Sequence, residues 1–578
     1  MKIKQYLPAL EWLPNYKKEW FSGDLSAGLT VGVMLIPQGM AYAMIAGLPP
    51  IHGLYASTVP LVLYALFGTS RQLAVGPVAM VSLLTAAGIG ALNPESPEVY
   101  LMLAVTLAFM VGLFQFLMGV FRLGFLVNFL SHPVISGFTS AAAIIIGLSQ
   151  LKHIMGVNLP RSQHVHDILI AAAGEISNTH LITLGIGILS ILIIKFAKKI
   201  HKAIPGALIA VIVGILLVWG LGLDQQGVKI LGEVPQGLPG LSMPSFDLET
   251  WQTLLTAVLT ISLVGFMESY AVAKAIQNKH KNYQVDANQE LIGLGVANFG
   301  AAFFQGYPVT GGFSRTAVND QAGAKTGLAS IISAVTIALT LLFLTPLFFY
   351  LPKAVLAAVI LVAVSGLIDY KEAIELWKKD RADFWMLFAT FLVTLTLGIE
   401  TGIGVGVVLS LALVIYRSTR PHVAVLGRVP QSDFYRNIDR FDNLEQRPDV
   451  LVVRFDGPLY FANLNYFKDR TEQLISKKGK DLRLVVLNAD SISYLDSSAV
   501  HTLAEWIKDL RNRGLRIHFT SVIGPVRDTM RKWGLMELIG EENFFMSNQR
   551  AIDAFDQLQK EGKFQKKFPE FATQSSSK

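Results

Sequence analysis

The chain has 578 residues, 52% hydrophobic and 16% charged, with a mean hydropathy of +0.46. A soluble chain carries about a quarter charged residues, so this composition excludes a wholly soluble protein; charge is sparse up to about Arg420 and frequent beyond it. The net charge of +7 is what cytoplasmic-loop lysines produce under the positive-inside rule and does not indicate nucleic acid, and the lack of cysteine excludes disulfides and thiolate metal sites.

Residues 1–22 read as a cytoplasmic amphipathic lead-in, with Trp12, Trp20 and Phe21 suited to the membrane interface and lysines between them. No cleavable signal pattern precedes the first apolar run, which is therefore expected to be retained. The first span covers Leu25–Ile45 and contains Pro37-Gln38-Gly39, where a mid-membrane break is expected. A second runs over Ile51–Phe67. The third begins at Gly76-Pro77 and ends near Leu92, too short for an ordinary crossing. Further spans fall near 99–119, 124–152, 180–200 and 204–222, and a polar loop over 223–248 closes the first half. The second half repeats the plan: 250–276 with Glu268, 287–304, a polar stretch at 305–323, then 327–350, 353–370, 382–399 and 402–417. The expectation is a transmembrane domain over 23–420 with fourteen segments, seven plus seven.

The stretch Gln305–Gly323, QGYPVTGGFSRTAVNDQAG, sits between apolar segments yet carries Pro308, Gly311, Gly312, Ser314, Arg315 and Asn319. An arginine at membrane depth costs about 2.5–3.5 kcal/mol on insertion scales, and irregular backbone survives there only inside protein or beside a water-filled cavity. The stretch reads as a broken half-helix. Gly76-Pro77 is its counterpart about 235 residues earlier, and Gln38 precedes Glu268 by about 230. Gly/Pro-interrupted segments at matching positions of two halves point to the midplane site of a transporter, and an odd number of spans per half inverts the repeats.

Two opposed half-helix starts would offer unpaired N–H groups and about half a positive charge each. The residues at those starts are Gly76, Val78 and Ala79 on one side and Gly312, Phe313 and Ser314 on the other. Gln38 and Tyr42, four apart, face one way and add side-chain donors. The competing reading of the glycines is helix packing. Arg315 is the natural countercharge for an anion; the alternative is an ion pair with Asp320 or another carboxylate. Glu268, set among apolar residues, is costly to ionise, so it either pairs with Arg315 or takes up a proton as a coupling residue.

Lys195, Lys198, Lys199 and Lys202 form one basic cluster, Lys274, Lys279 and Lys281 a second, and Lys371, Lys378, Lys379 and Arg381 a third. With the N-terminus inside, all three fall on the cytoplasmic side, whereas Asn93–Glu98 lies outside and has no basic residue. Beyond Arg420, apolar runs at 450–455, 482–488 and 515–520 alternate with helical patterns at 463–477, 498–512 and 525–533. That alternation predicts a small cytoplasmic α/β domain over 430–565, with Asp496 or Ser497 as a helix N-cap and a disordered tail over 566–578.

Three ordered stretches resemble one family. DLSAGLTVGVMLIPQGMAYAMIAGLPPIHGLYAS (Asp24–Ser57) and GYPVTGGFSRTAVNDQAGAKT (Gly306–Thr326) are similar to the sulfate permease (SulP) anion transporters, and YLDSSAVHTLAEW resembles the centre of their STAS domain. The resemblance implies a uracil-permease-like fold in which core segments 1–4 and 8–11 move against a gate of 5–7 and 12–14, a homodimer, and substrate contacts at Gln38 and Tyr42. It places Ser497 and Ser498 where bacterial anti-sigma antagonists carry a phosphorylatable serine, although an N-cap role explains at least one of them. Bicarbonate transporters of this family have an aspartate with a threonine one turn later; here Glu268 is followed by Val272, which weakens a sodium site, with Ser269 and Thr310 as remaining oxygens.

The reading is a secondary active transporter in the plasma or cell inner membrane, both termini cytoplasmic, carrying sulfate or a related oxyanion with a proton by an elevator-like movement. Alternatives are sodium- or proton-coupled bicarbonate or dicarboxylate transport, an uncoupled anion exchanger or channel, and a sensor whose STAS domain signals. No nucleophile–base pair supports an enzyme, no cofactor is implied, and His164 and His166, on an outer loop with His153 nearby, have no third partner at ligand spacing.

Overall fold

Long apolar runs with helical periodicity bury their polar backbone within themselves, the only arrangement short of a closed barrel that crosses a bilayer. The computed structural model describes residues 7–125, 131–159, 165–200, 205–281 and 283–561. The expected tail, His164 and Lys202 lie outside the described residues. Among the described residues, seven helices are long and apolar enough to cross a membrane, including Lys18–Ile45, Pro97–Val120 and Leu248–His280, and shorter apolar helices accompany them. The chain divides into two compact units, Met1–Leu411 and Ala412–Lys578.

In the first unit the elements that matter below are helix α1 (Phe21–Ile45), strand β1 (Val75–Gly76), α2 (Ala79–Gly90), α3 (Leu248–His280), α4 (Ala287–Phe303), strand β2 (Thr310–Gly311) and α5 (Phe313–Gln321). Helix α4 packs along Pro97–Val120 through small residues: a Cβ on Gly112 would lie 2.9 Å from the Gly295 carbonyl oxygen, and one on Gly295 would lie 2.7 Å from the Phe116 nitrogen. At these crossings the packing reading of glycine is the right one.

Two buried carboxylates fasten this bundle. Glu290 on α4 accepts from the Tyr64 hydroxyl at 2.6 Å, the Thr69 amide at 2.7 Å, the Thr69 hydroxyl at 2.6 Å and the Ser70 amide at 3.1 Å. Asp24 on α1 accepts from the Lys325 and Thr326 amides at 2.6 and 3.0 Å, the Thr326 hydroxyl at 2.7 Å and the Tyr16 hydroxyl at 3.1 Å. Each takes two consecutive backbone amides, a threonine and a tyrosine. Such saturation makes a buried carboxylate tolerable.

Several local readings are corrected. Helix α1 runs unbroken through Pro37; two residues on, Gly39 meets Gly53 and lets α1 and the helix Ile51–Tyr55 touch, a Gly39 Cβ falling 2.9 Å from the Gly53 carbonyl oxygen. The run at 51–67 is two helices, Ile51–Tyr55 and Val59–Phe67. The basic stretch around Lys371–Lys379 is not a loop but the helix Tyr370–Lys379, capped by Asp369, whose carboxylate accepts from the Glu372 amide at 3.0 Å. Val165–Gly174 is likewise helical.

The second unit holds a six-stranded sheet in the order β4-β3-β5-β6-β7-β8, with β3 (His422–Arg428), β4 (Tyr435–Asn437), β5 (Val450–Asp456), β6 (Leu484–Asn488), β7 (Arg516–Thr520) and β8 (Phe544–Phe545). β3 is antiparallel to both neighbours, and β5 to β8 are parallel, as strand–helix–strand crossovers require. The period of two is visible in β5. Leu451, Val453 and Phe455 pack with Phe467 and Trp506 of α6 (Leu464–Lys478) and α7 (Ser497–Asn512), whereas Val450 and Val452 pack with Ile552 and Phe555 of α8 (Asn548–Lys560). Asp496 caps α7, accepting from the Ala499 amide at 2.7 Å.

His518 on β7 is 1% exposed, and its Nδ1 donates to the Ala551 carbonyl at 2.9 Å. Burial, reinforced by the nearby Arg516, pushes the imidazole down to about 4. The unfolded chain therefore binds a proton below about 6.5 that the folded unit refuses, and stability is lost as pH falls from there towards 4. Thermal melts of the full chain should show the transition of this second unit weakening by about 2 kcal/mol between pH 7.5 and 5. His518→Gln should flatten that dependence.

Candidate anion site

The two polar breaks meet. β1 and β2 pair antiparallel, Val75 opposite Gly311 and Gly76 opposite Thr310, and an antiparallel pair carries its own local two-fold axis. Each strand runs at once into a helix: α2 starts at Ala79 behind an extended Val78, and α5 starts at Phe313 behind an extended Gly312 (φ −95°, ψ 127°). Neither start has a side-chain cap, so both present backbone N–H groups and the positive end of a helix dipole. Gly76 has φ +155°, a backbone conformation that side-chain-bearing residues rarely adopt.

Helices α3 and α4 hold the second break in place. Ser269 and Thr310 share a 2.6 Å hydroxyl contact, Thr310 donates to the Gly265 carbonyl at 2.6 Å, and the Gly311 amide donates to Ser269 Oγ at 2.7 Å. Asn298 clasps Val309 as a neighbouring strand would: its Oδ1 accepts from the Val309 amide at 2.8 Å and its Nδ2 donates to the Val309 carbonyl at 3.1 Å. The Tyr307 hydroxyl lies 3.2 Å from Ser82 Oγ, tying this break to α2.

Arg315 is 1% exposed and reaches from α5 to the first break, where Nη1 donates to the Pro77 carbonyl at 2.5 Å and Nη2 approaches the Ala74 carbonyl at 3.5 Å. It makes no ion pair among the described residues. Asp320 is bonded instead to Lys279 and His280 of α3, which corrects the alternative of an Arg315–Asp320 bridge. The guanidinium folds back over Gly312, where a Cβ would lie 2.8 Å from Arg315 Cζ.

Tyr42, Glu268 and Tyr307 all lie within electrostatic reach of Arg315. The Glu268 carboxylate has no hydrogen bond or ion pair among the described residues, and Phe266 and Met267 beside it are buried. Gln38 and Tyr42 are each 6% exposed on α1. Gln38 Oε1 and Arg315 Nε are buried without a hydrogen-bond partner. Orphaned buried polar atoms are costly, and Arg315 Nε, beside the uncapped start of α5, leaves valence for a ligand. Val78 and Ala79 are buried, whereas Phe313 and Ser314 are exposed, so the start of α5 opens onto free space.

The structure thus gathers Tyr42, Gly76, Glu268, Gly312 and Arg315, and adds two residues that sequence reasoning passed over. Tyr307 stood inside the quoted polar stretch, and Asn298 was a lone amide in an apolar run, itself a signal. Ser497 and Ser498 are exposed on the first turn of α7, remote in sequence from the breaks, and the cap beside them is Asp496. His166 contacts Asp167 at 3.2 Å; among the described residues no three His, Cys, Asp or Glu side chains converge to hold a metal.

Gly312→Ala tests the close approach. The added methyl must displace the guanidinium, so calorimetric anion affinity should fall by about tenfold, roughly 1.4 kcal/mol, and the melting temperature should fall to the extent that the Pro77 contact is lost. An affinity equal to that of the parent chain would mean the guanidinium position does not matter to the ligand.

Comparison with known proteins agrees with this architecture. The sulfate permease family pattern matches residues 21–390, and the STAS domain pattern matches 443–551. The chain is 42% identical to sulfate transporter 4.1, chloroplastic, of Arabidopsis thaliana over 572 residues, covering 95% of this chain and 82% of that protein. It is 36% identical to sulfate transporter 3.1 of the same plant, covering 96% and 87%. Among solved structures, the murine solute carrier 26 family member A9 anion transporter, in its inward-facing state, superposes with a TM-score of 0.88 at 27% identity, over 96% of this chain and 94% of that one. The transmembrane domain of a cyanobacterium bicarbonate transporter, BicA, superposes with a TM-score of 0.60 at 26% identity, over 68% and 98%.

Proposed function

The chain belongs to the sulfate permease family, and from that premise we propose that it is a secondary active transporter that takes up sulfate with at least one proton. The observation that carries the proposal is the pair of uncapped helix starts joined through β1 and β2, with Arg315 Nε left unpartnered where its guanidinium packs over Gly312. Backbone N–H groups, the dipole ends of α2 and α5 and the Arg315 charge favour a dianion. Gln38, Tyr42, Gly76, Val78, Ala79, Gly312, Phe313, Ser314 and Arg315 form the binding surface.

Glu268 is the coupling residue in this reading. A protonated carboxyl leaves the positive field to the incoming dianion, and an ionised one opposes it. Proton rather than sodium is favoured because Val272 supplies no oxygen and the Ser269 and Thr310 hydroxyls are engaged with each other and with Gly265. The names of the plant relatives support sulfate over bicarbonate or dicarboxylates.

An elevator-like movement is supported by where the polar bonds run. Glu290 to Thr69, Asp24 to Thr326, Asn298 to Val309 and Arg315 to Pro77 all join segments of the proposed core. Gate elements bond among themselves, as in His132 to Glu372 at 2.6 Å and the Asp369 amide to Ser140 at 3.2 Å. In this proposal the domain boundaries remain 1–22, 23–420 and 430–565, the protein is a homodimer with both termini cytoplasmic, and Ser497 and Ser498 are its candidate phosphorylation sites.

The test is uptake of radiolabelled sulfate by the full-length protein in liposomes. An inward proton gradient should drive accumulation above equilibrium, and sulfate should raise the melting temperature more than other anions in a panel, because a ligand selective for the folded state stabilises it. Flux indifferent to the proton gradient would instead select an uncoupled exchanger or channel.

A further inference from the structure

A chamber of about 630 Å³ lies on the side of the first break that precedes β1. Its walls include Glu11 and Trp12 of the lead-in, Arg71 on the loop before β1, Arg122 after the helix Pro97–Val120, and Tyr283 and Asn288 around the start of α4. On the loop-charge topology, each of these stretches is either the N-terminus or a connection on the cytoplasmic side. The chamber therefore opens towards the cell interior in that orientation.

Its chemistry is that of an anion receptor with room for more than an inorganic ion. The Arg71 guanidinium lies over the Tyr283 ring, 5.3 Å from its centroid. Neither Arg71 nor Arg122 makes an ion pair among the described residues, although Glu11 and Asp286 line the same space. Asp286 is engaged elsewhere, capping α4 through the Gln289 amide at 2.8 Å. Guanidinium groups bind phosphate and sulfate oxygens through paired donors, and Trp12 and Tyr283 offer aromatic surface with polar tips. A chamber of this size falls in the range, about 300–1,000 Å³, that holds an organic ligand.

We infer that this chamber binds an organic phosphate or sulfate ester presented from the cytoplasmic side, its anionic oxygens held by Arg71 and Arg122 and its body against Trp12 and Tyr283. The ester is either a soluble molecule of nucleotide size or the headgroup of an acidic phospholipid; the recognition chemistry is the same. The site also adjoins the first break. The Tyr283 hydroxyl donates to Gln72 Oε1 at 2.7 Å, the Gln72 carbonyl accepts from Asn319 of α5 at 2.8 Å, and Gln72 stands three residues before Val75. The inference does not depend on transport, so failure of the transporter reading would leave it standing.

The experiment is calorimetric titration of the purified full-length protein with adenosine 5′-monophosphate, alongside melting in nanodiscs with and without phosphatidic acid. Saturable nucleotide binding, weakened at least about tenfold in Arg71→Gln/Arg122→Gln, assigns the soluble ester. A melting rise with phosphatidic acid alone, lost in the same variant, assigns the headgroup. Should the double variant fail to fold, Tyr283→Leu keeps both charges, removes the ring and should weaken the same binding. No response to either probe, or a response unchanged in these variants, overturns the inference.

Discussion

Glu268→Gln should abolish proton-driven accumulation of sulfate in liposomes while leaving equilibrium sulfate binding within a few-fold of the parent protein. Glutamine is nearly isosteric with the protonated acid, so it mimics the state in which the anion is proposed to enter. The native carboxylate has no hydrogen-bond or ion-pair partner among the described residues, and the residues before it, Phe266 and Met267, are 0% and 8% exposed. Losing a partner therefore does not complicate the variant. A pH difference of one unit is worth about 1.4 kcal/mol per proton, or about tenfold in accumulation, which the variant should forfeit entirely. Uptake that still responds to an imposed pH gradient would refute the coupling role. Glu268→Asp, which keeps a titratable group on a shorter arm, should retain coupling at a reduced rate.

How far the site was legible depends on what kind of partner each residue has. The breaks themselves were readable because Pro, Gly and Arg are out of place between apolar segments, and their spacing of about 235 residues suggested that they belong together. That they would form a strand pair was not readable, because β1 and β2 are only two residues each. Arg315 shows the limit most clearly. Sequence offers Asp320 as a charged partner, but residues five apart on a helix point about 140° away from each other. The true partners, Pro77 and Ala74, act through carbonyl oxygens that no residue type advertises. Asp24 and Glu290 are hidden for the same reason, since half of what each binds is backbone amide. The continuity of α1 through Pro37 was missed because proline removes one bond without forbidding the helix when packing holds both sides.

Arg315→Ala separates the two things that this residue does. It carries the charge nearest the proposed anion, and it braces α5 against the first break through Pro77. Removing it deletes a buried cation and strips the Pro77 carbonyl of its donor, so sulfate affinity should fall about 100-fold, roughly 2.7 kcal/mol, and the melting temperature should drop as well. Lysine is the informative second substitution. It restores the positive charge but, as a point donor on a flexible stem, cannot reproduce the planar fork that spans two carbonyls. If charge dominates, Arg315→Lys should recover most of the affinity, with a salt-dependent remainder, while the melting temperature stays low. If bracing dominates, lysine should recover little of either. Calorimetric titration and thermal melts on the same preparations distinguish these outcomes. Equal sulfate affinities in the alanine variant and the parent would reduce Arg315 to a structural strut and leave the anion to the backbone of α2 and α5 alone.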